Sequence, residues 1–426
     1  MNAQNILIIG GGGREHALAF KFRQSPFCGQ LFIASGNYGT AQCGQNIAIS
    51  PNDFEALAVF SLANDINMVF VGPEEPLVRG IVDYFEGRPD LAHISMVGPS
   101  AEGAQLEGSK AYAKAFMSEF DIPTAMYRAF TAEDMEAGLD FIANSRPPFV
   151  LKADGLAGGK GVVILTDVAE TQAEFREMLG GKFGSAGARV VIEQFLDGIE
   201  FSVFAFTDGE NYQILPIAKD YKRVGEGDTG LNTGGMGAVS PLPFVDTVLL
   251  QKVEDRIIRP TIRGLKKRGI RYRGVVFFGL IRVDDDPYVI EYNCRMGDPE
   301  TEVVIPRLRS DLVSLCSSLF DGTLATQSLV FDPRTAATIM LVAGGYPGDY
   351  TKGHLVSGLE NIEGSLVFHA GTQADTEGNI RTQGGRLIAV TSYGNTIEEA
   401  VTASKKNAER IEYMGKYYRQ DIGFDL

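Results

Sequence analysis

The chain has no tryptophan and, in 426 residues, only four cysteines and four histidines. Cys28, Cys43, Cys294 and Cys316 are too few for a disulfide scaffold and too far apart for a zinc or redox motif, so they read as free thiols. None of the histidines sits in a triad-like motif. No window holds 18 uninterrupted apolar residues, which excludes a membrane-spanning helix, and MNAQNILIIGGGG enters a strand pattern with no positively charged leader. Excess positive charge is also missing. The formal net charge of −15 sets the whole-molecule field against polyanions, so neither nucleic acid nor a membrane surface is an expected partner. Any anionic substrate must instead meet locally gathered Lys and Arg. Repeats, low-complexity tracts and long disordered linkers are absent too. What remains, 44% hydrophobic, is a conventional globular chain of two to four domains, expected in the cytoplasm.

The densest signal is KADGLAGGKG, Lys152 to Gly161, directly after the apolar run Pro148 to Leu151. Glycines allow close backbone approach, so successive N–H groups can face phosphate oxygens while Lys152 and Lys160 supply charge. The pattern GxxxxGK[ST] is not met because Gly161 follows Lys160, and Val162 to Leu165 continues as a β-branched run. The spacing predicts a glycine loop between two strands that folds over a nucleoside triphosphate; a mobile surface hairpin is the bland alternative.

A second signal is YVIEYNCRMGDPET, Tyr288 to Thr301. Its alternation predicts a strand on which Glu291 and Asn293 share a face, two hard oxygen ligands of the kind Mg²⁺ takes before completing its shell with water and phosphate. Arg295, two residues further, adds a planar donor suited to a carboxylate or a phosphate.

Around these the first hundred residues alternate strand patterns (Ile6 to Ile9, Leu31 to Ala34, Met68 to Val71, Ile94 to Val97) with helical ones (His16 to Gln24, Phe54 to Asn64), the rhythm of a parallel doubly wound sheet. The opening Gly10 to His16 lacks the third glycine of a dinucleotide fingerprint, and the second strand ends without an acid for a ribose, which argues against an oxidoreductase. A glycine turn at a helix start remains, suited to an anion such as a sugar phosphate. Gly72-Pro73-Glu74-Glu75-Pro76-Leu77 ends a strand where a ligand crevice would open, as substrate contact or ordinary turn. A single helix is expected over Ala101 to Phe120; its Lys110 is either a phosphate contact or a solvated lysine. Strands at Arg189 to Gln194, Phe201 to Thr207 and Tyr212 to Ile217 are expected to form a lid sheet. Glu193, Gln194, Phe195 and Leu196 suit an adenine slot, with Glu200 near the ribose, or simply core. The polar, glycine-rich stretch from Asp220 to Gly237 is the candidate second substrate loop. Helices are expected over Asp246 to Arg268, Thr301 to Phe320 and Ile397 to Tyr413, and strands over Val275 to Val283, Ala336 to Val342 and Leu387 to Val390.

Taken in order, GGREHAL (Gly12 to Leu18), VGPEEPLV (Val71 to Val78), LEGSKAYAK (Leu106 to Lys114), KADGLAGGKGV, NTGGMGA (Asn232 to Ala238), NCRMGDPET (Asn293 to Thr301), AGGYPGDY (Ala343 to Tyr350) and FHAGT (Phe368 to Thr372) closely resemble the phosphoribosylamine–glycine ligases, also called glycinamide ribonucleotide synthetases, of the ATP-grasp superfamily. The resemblance spans essentially the whole chain. It implies an α/β and α+β multidomain fold: a Rossmann-like pre-ATP-grasp domain (1–104), an ATP-grasp region (105–325, lid about 124–196, central domain about 197–325 with 105–123) and a C-terminal α/β domain (326–426). It implies the cofactors ATP and Mg²⁺ or Mn²⁺, and a reaction in which ATP, glycine and 5-phosphoribosylamine give ADP, phosphate and glycinamide ribonucleotide through an acyl phosphate. The partners are then small molecules and the chain a monomer.

By motif, Lys110, Lys152, Gly158, Gly159, Lys160 and Gly161 fall to the ATP phosphates, Glu193, Phe195, Leu196 and Glu200 to the nucleoside, and Glu291 and Asn293 to the metal. Arg295 becomes a clamp for the glycine carboxylate, with Asp220 and Lys222 as further catalytic candidates. The substrate candidates are Gly12, Gly13, Arg14, Glu15, Pro73, Glu74, Asn232, Gly234, Gly235, Gly297, Asp298, Gly385 and Arg386. The chain departs from the family where Ala218 to Arg223 is about two residues shorter with Tyr221 in place of a histidine, at Glu302 in place of glutamine, and at Val239 in place of an aromatic residue. Competing readings are an ATP-grasp ligase for another carboxylate or bicarbonate, and a regulatory nucleotide sensor.

Overall fold

The computed structural model describes residues 2–156 and 161–426. The alternating apolar segments near the start become β1 (Gln4–Gly10), β2 (Cys28–Ser35), β3 (Gln45–Ile47), β4 (Met68–Val71) and β5 (Ser95–Pro99), all parallel, with helix α1 (Gly13–Arg23) directly after β1. Their order, β5-β4-β1-β2-β3, changes direction at β1, so the glycine turn behind β1 opens onto the crevice at the strand ends.

Residues 101 to 120 form two helices, Ala101–Gly108 and Lys110–Glu119, not one. Ser109 is extended and its Oγ accepts the Tyr112 N–H at 3.1 Å, so a hydroxyl cap wins over helix continuation. A four-stranded antiparallel sheet follows, β6 (Tyr127–Thr131), β7 (Phe149–Ala153), β8 (Val162–Leu165) and β9 (Arg189–Gln194) in the order β6-β9-β7-β8, with a small core of its own around Phe130, Leu151 and Phe175. The glycine loop does join two strands of it. The next two strands do not: β10 (Ile199–Thr207) and β11 (Tyr212–Ile214) leave the lid sheet for the large one, where the buried run of β10 is paired on both sides, by β16 and by β11, which forms the sheet edge.

Further along lie β12 (Lys219–Asp220), the hairpin β13 (Arg223–Gly225) and β14 (Thr229–Asn232), and β15 (Gly237–Ser240). The helical stretch Thr247 to Lys267 passes through a wide π turn at Glu254–Ile258, just before Pro260, which has no N–H to give. Then come β16 (Tyr272–Val283) and β17 (Asp286–Asn293). β16 pairs β10 along one edge; on the other it pairs β17 and, at Tyr272 and Arg273, β5. One nine-stranded sheet therefore runs from the central region into the amino-terminal one.

The helix expected over Thr301 to Phe320 is also split, into Thr301–Arg307 and Leu312–Asp321: Pro306 lies near the end of the first, Leu308 is extended, and Asp311 caps the second by accepting from Ser314 N at 2.8 Å. The last unit is the sheet β12-β15-β18-β22-β19, made with β18 (Thr335–Val342), β19 (Ser365–His369) and β22 (Arg386–Gly394), beside the small hairpin β20 (Thr372–Ala374) and β21 (Ile380–Thr382); the helix Ile397–Arg410 packs on it. Two of its strands, β12 and β15, flank the polar, glycine-rich stretch from Asp220 to Gly237. Among the described residues no helix is long and apolar enough to cross a membrane.

Candidate active site

Glu291 and Asn293 end β17, next to a bulge: Gly279 faces Glu291 while Leu280 faces Val289, so Ile290 is unpaired on β16. The freed Ile290 carbonyl accepts from Lys152 Nζ at 3.0 Å. Lys152 is buried at the end of β7 and also pairs with Glu193 at 3.1 Å, whose carboxylate reaches Lys114 at 3.0 Å. Glu193 Oε1 has no hydrogen-bond partner in this pocket. Lys110, at the start of its helix, donates to Gly155 O at 3.3 Å, so it belongs to the glycine loop rather than to the solvent. Gly161 closes the loop's far side, its carbonyl accepting from Ala153 N at 2.8 Å. Gly158, Gly159 and Lys160 lie outside the described residues. Phe195 and Leu196 are half-buried and Glu200 is exposed beyond β9.

Burial opposes the charge of Glu291, but Lys222, Lys152, Lys110 and Arg295 outweigh it and hold the carboxyl at about 2. Burial, with Lys152 nearby, lowers Lys110; burial against the pull of Glu193 brings Lys114 down to about 8. An ionised carboxylate and an amide oxygen, ringed by cations but left with open positions, suit a hard divalent ion carrying phosphate oxygens.

Arg295 is half-buried between acids. It donates to Glu107 Oε1 at 2.6 Å and to Asn293 Oδ1 at 3.0 Å, and lies 3.5 Å from Glu74. Glu107 also accepts from the Cys294 N–H at 2.8 Å and thiol at 3.1 Å, and its pKa is raised by burial despite Arg295. Sequence reasoning did not single out Glu107; its only trace is the acid in LEGSK, ahead of the helix break.

The stretch from Asp220 to Gly237 comes back to the same place. Lys222 Nζ lies 3.5 Å from Glu291 and 3.8 Å from Glu200. Asp220 is raised by burial against Lys222, and burial beside Asp220 pushes Glu300 up to about 7 while Ser202 Oγ donates to it at 3.1 Å. Glu300 was another residue not anticipated from the sequence. Asn232 pairs with Arg223 across β13 and β14, and the Gly234 and Gly235 carbonyls accept from Arg386 at 2.6 and 3.5 Å. Arg386 also bonds Asp298, through its carbonyl at 2.8 Å and its carboxylate at 2.8 Å, next to Gly297. Gly385 lies against the Tyr346 ring, where a Cβ would come within 2.4 Å.

At the start of α1 the Gly12 N–H donates to Glu15 Oε2 at 2.6 Å, and Arg14 Nε donates to Glu15 Oε1 at 2.6 Å. Glu15 therefore serves the turn: it is buried, and a Cβ at Gly10 or Gly72 would meet its side chain at 2.6 or 2.0 Å. Arg14 reaches on to Met296 O at 3.2 Å. Gly12 and Gly13 look toward Asp298 and Glu302, while Pro73 caps the short helix bearing Glu74. The face is tied to the last unit by Asn37 Nδ2, which reaches Gly12 O at 3.1 Å and His369 O at 2.6 Å, and by His16 Nδ1, which accepts from His369 N at 2.8 Å.

A strand ending in Glu291 and Asn293, the buried Lys152 at the mouth of a loop between two antiparallel strands and the cations gathered around Glu291 are the arrangement of an ATP-grasp ligase, and a model of the ATP-grasp domain of phosphoribosylglycinamide synthetase matches this part of the chain. The fold is shared with the biotin carboxylase domain of Hydrogenobacter thermophilus 2-oxoglutarate carboxylase, solved with MgADP and bicarbonate, which superposes with a TM-score of 0.72 over 98% of this chain and 92% of that one at 16% identity. Models of phosphoribosylglycinamide synthetase match residues 4–107 (N domain), 108–301 (ATP-grasp domain) and 336–425 (C domain). The phosphoribosylamine–glycine ligase of Pasteurella multocida is 46% identical over 99% of this chain and 97% of its own length. The crystal structure of the Thermotoga maritima phosphoribosylamine–glycine ligase has a TM-score of 0.85 and 34% identity, covering 98% and 99% of the two chains. The chain belongs to the phosphoribosylamine–glycine ligase family.

Proposed function

We propose that this enzyme joins glycine to 5-phosphoribosylamine at the expense of ATP, giving glycinamide ribonucleotide, ADP and phosphate in purine synthesis. The observation that carries this reading is the convergence of Lys110, Lys152, Lys222 and Arg295 on the ionised Glu291. A carboxylate acylates poorly, so the glycine carboxylate first attacks the γ-phosphorus, breaking its bond to the β,γ-bridging oxygen and releasing ADP; the amine of the sugar phosphate then attacks the acyl carbon of the glycyl phosphate, giving up a proton as phosphate leaves. The four cations offset the charge that builds up, mainly by position and electrostatics. A bound Mg²⁺ or Mn²⁺, held by Glu291 and Asn293, would add charge neutralisation at the phosphates.

In this reading Lys110, Lys152 and the loop Gly158, Gly159, Lys160 and Gly161 hold phosphates, and Glu193, Phe195, Leu196 and Glu200 hold the nucleoside. Arg295 keeps Glu107 as a firm partner and meets the glycine carboxylate on the side that Glu74 holds loosely. Asp220 and Lys222 flank the acyl group; Gly12, Gly13, Arg14, Asp298 and Arg386 gather about the sugar phosphate, with Pro73, Asn232, Gly234, Gly235, Gly297 and Gly385 shaping its walls and Glu15 fixing the turn. The units 1–104, 105–325 (lid about 124–196) and 326–426 act together as a cytoplasmic monomer that needs neither nucleic acid nor membrane. The test is ADP release with each substrate omitted in turn. Release is expected only when ATP, glycine and phosphoribosylamine are all present; release without phosphoribosylamine, or with bicarbonate in place of glycine, would refute the assignment.

A further inference from the structure

Residues 219 to 222 alternate between two tasks. Pairing continues past β12, since Tyr221 N donates to Gly237 O at 3.0 Å and Met236 N to Tyr221 O at 2.7 Å, so residues two apart share a side. Asp220 and Lys222 lie among Glu200, Glu291 and Glu300. Lys219 and Tyr221 turn the other way, toward the segment Tyr417 to Leu426. Tyr221, 1% exposed, donates from its hydroxyl to Asp425 Oδ1 at 2.8 Å, and Lys219 Nζ pairs with Asp425 Oδ2 at 3.2 Å while lying 4.6 Å from the centre of the Tyr221 ring.

The same segment grips the loop further on. Arg419, fully buried, has its guanidinium 5.4 Å from the Tyr221 ring centre; it donates to Arg223 O at 3.1 Å and to Asp228 Oδ1 at 2.6 Å. Asp421 orients Arg419 and accepts the Gly227 N–H at 2.7 Å, and Tyr417 Oη donates to Val224 O at 2.7 Å. The hairpin tip, Glu226 to Asp228, and the adjoining Thr229 to Leu231 of β14 are exposed, so these side chains hold the hairpin from behind.

We propose that Tyr417 to Leu426 is a positioning strut for the substrate loop, and that the Tyr221–Asp425 hydrogen bond sets where Asp220 and Lys222 stand. Neither Tyr221 nor Asp425 faces the reacting groups; both act through their neighbours. The shortened loop is thereby held from outside, by contacts from a distant part of the chain. The proposal rests on the reading of Asp220 and Lys222 as groups at the substrate, so the experiment separates the two.

Full-length Tyr221→Phe, Asp425→Ala and Asp425→Asn would be compared with Asp220→Asn and Lys222→Met for ADP formation, nucleotide binding and thermal melting. Tyr221→Phe and Asp425→Ala should each lose about ten- to a hundredfold in kcat, the scale of a misplaced active-site group, with ATP binding and melting nearly unchanged. Asp425→Asn keeps an oxygen acceptor for the tyrosine and should recover most of that loss, and the double variant Tyr221→Phe/Asp425→Ala should be no worse than Asp425→Ala alone, which already breaks both the tyrosine bond and the Lys219 pair. If both single variants turn over normally while Asp220→Asn and Lys222→Met are inactive, the strut is refuted and the loop reading stands. If Asp220→Asn and Lys222→Met are themselves active, both ideas fall. A loss of rate that follows a matching loss of melting temperature and ATP binding would reduce the segment to a folding element and overturn the proposal.

Discussion

The two halves of the crevice are built in opposite ways. On one side, the β6 to β9 sheet has a private core and meets the rest of the site through a few polar contacts such as Lys152 to Ile290 O and Lys114 to Glu193. On the other side, three regions of the chain are sewn together by buried hydrogen bonds, Asn37 to His369, His16 to His369 and Thr391 to the Glu302 carbonyl at 3.0 Å, and by more exposed ones from Arg386 to Asp298 and Gly234. A module with its own core and a thin polar seam can shift as a body, whereas a multiply bonded junction is fixed before ligand arrives. The difference fits a site that closes over ATP while presenting a ready-made surface to the sugar phosphate.

The largest expected effect lies on the seam. Glu291→Gln removes the charge that both halves address, and turnover should fall about a hundredfold or more, as when charge stabilisation of a phosphoryl transfer is lost, with folding little changed. Near-normal ADP formation by the folded variant would remove the seam from the mechanism. Next comes the junction. Asn37→Ala takes the Nδ2 donor from the Gly11 and His369 carbonyls and should cost about 1–3 kcal/mol in chemical denaturation, whereas Gln172→Ala, which loses a 3.0 Å bond to Leu139 O inside the lid module, should leave the unfolding of the remainder untouched. Equal effects on one cooperative transition would break the comparison.

The smallest effect is a pH dependence of the junction. Burial lowers His16 to about 3, with His369 adding to it, and burial lowers His369 to about 4. Both are therefore neutral in the folded chain, and the unfolded chain binds their protons first. The stability tied to neutrality is present above about pH 6.5 and is lost as pH falls toward the folded values, amounting to about 1 kcal/mol per histidine near pH 5.5. Melting followed from pH 7 to 5 should fall less steeply in His369→Gln than in the parent; parallel slopes would place the pH sensitivity elsewhere.

The elements of this site that were legible in the sequence are those whose chemistry is local. Glu291 and Asn293 share a face because strands have period two, and Lys152 enters a glycine loop because an apolar strand precedes it. The breaks at Ser109 and at Leu308 to Asp311 were missed because hydrophobic periodicity continues across them while a short side-chain cap decides the backbone. Glu107, Glu300 and Asp425 were missed for a different reason: each takes its role from a partner far away in the chain, Arg295, Asp220 and Tyr221 respectively. A lone acid at an ordinary position carries no mark of such a partner.

The strand pairing between β5 and β16 has a consequence for how the chain comes to be folded. Pro99 and Gly98 wait for Tyr272 and Arg273 to close their edge of the sheet. A ribosome adding about 5–20 residues per second leaves that edge of the amino-terminal sheet uncovered for roughly ten seconds or more. During that time the unfinished chain offers an open strand to any neighbour, and binding by a chaperone, or mispairing in its absence, should concentrate on chains stalled between the two strands.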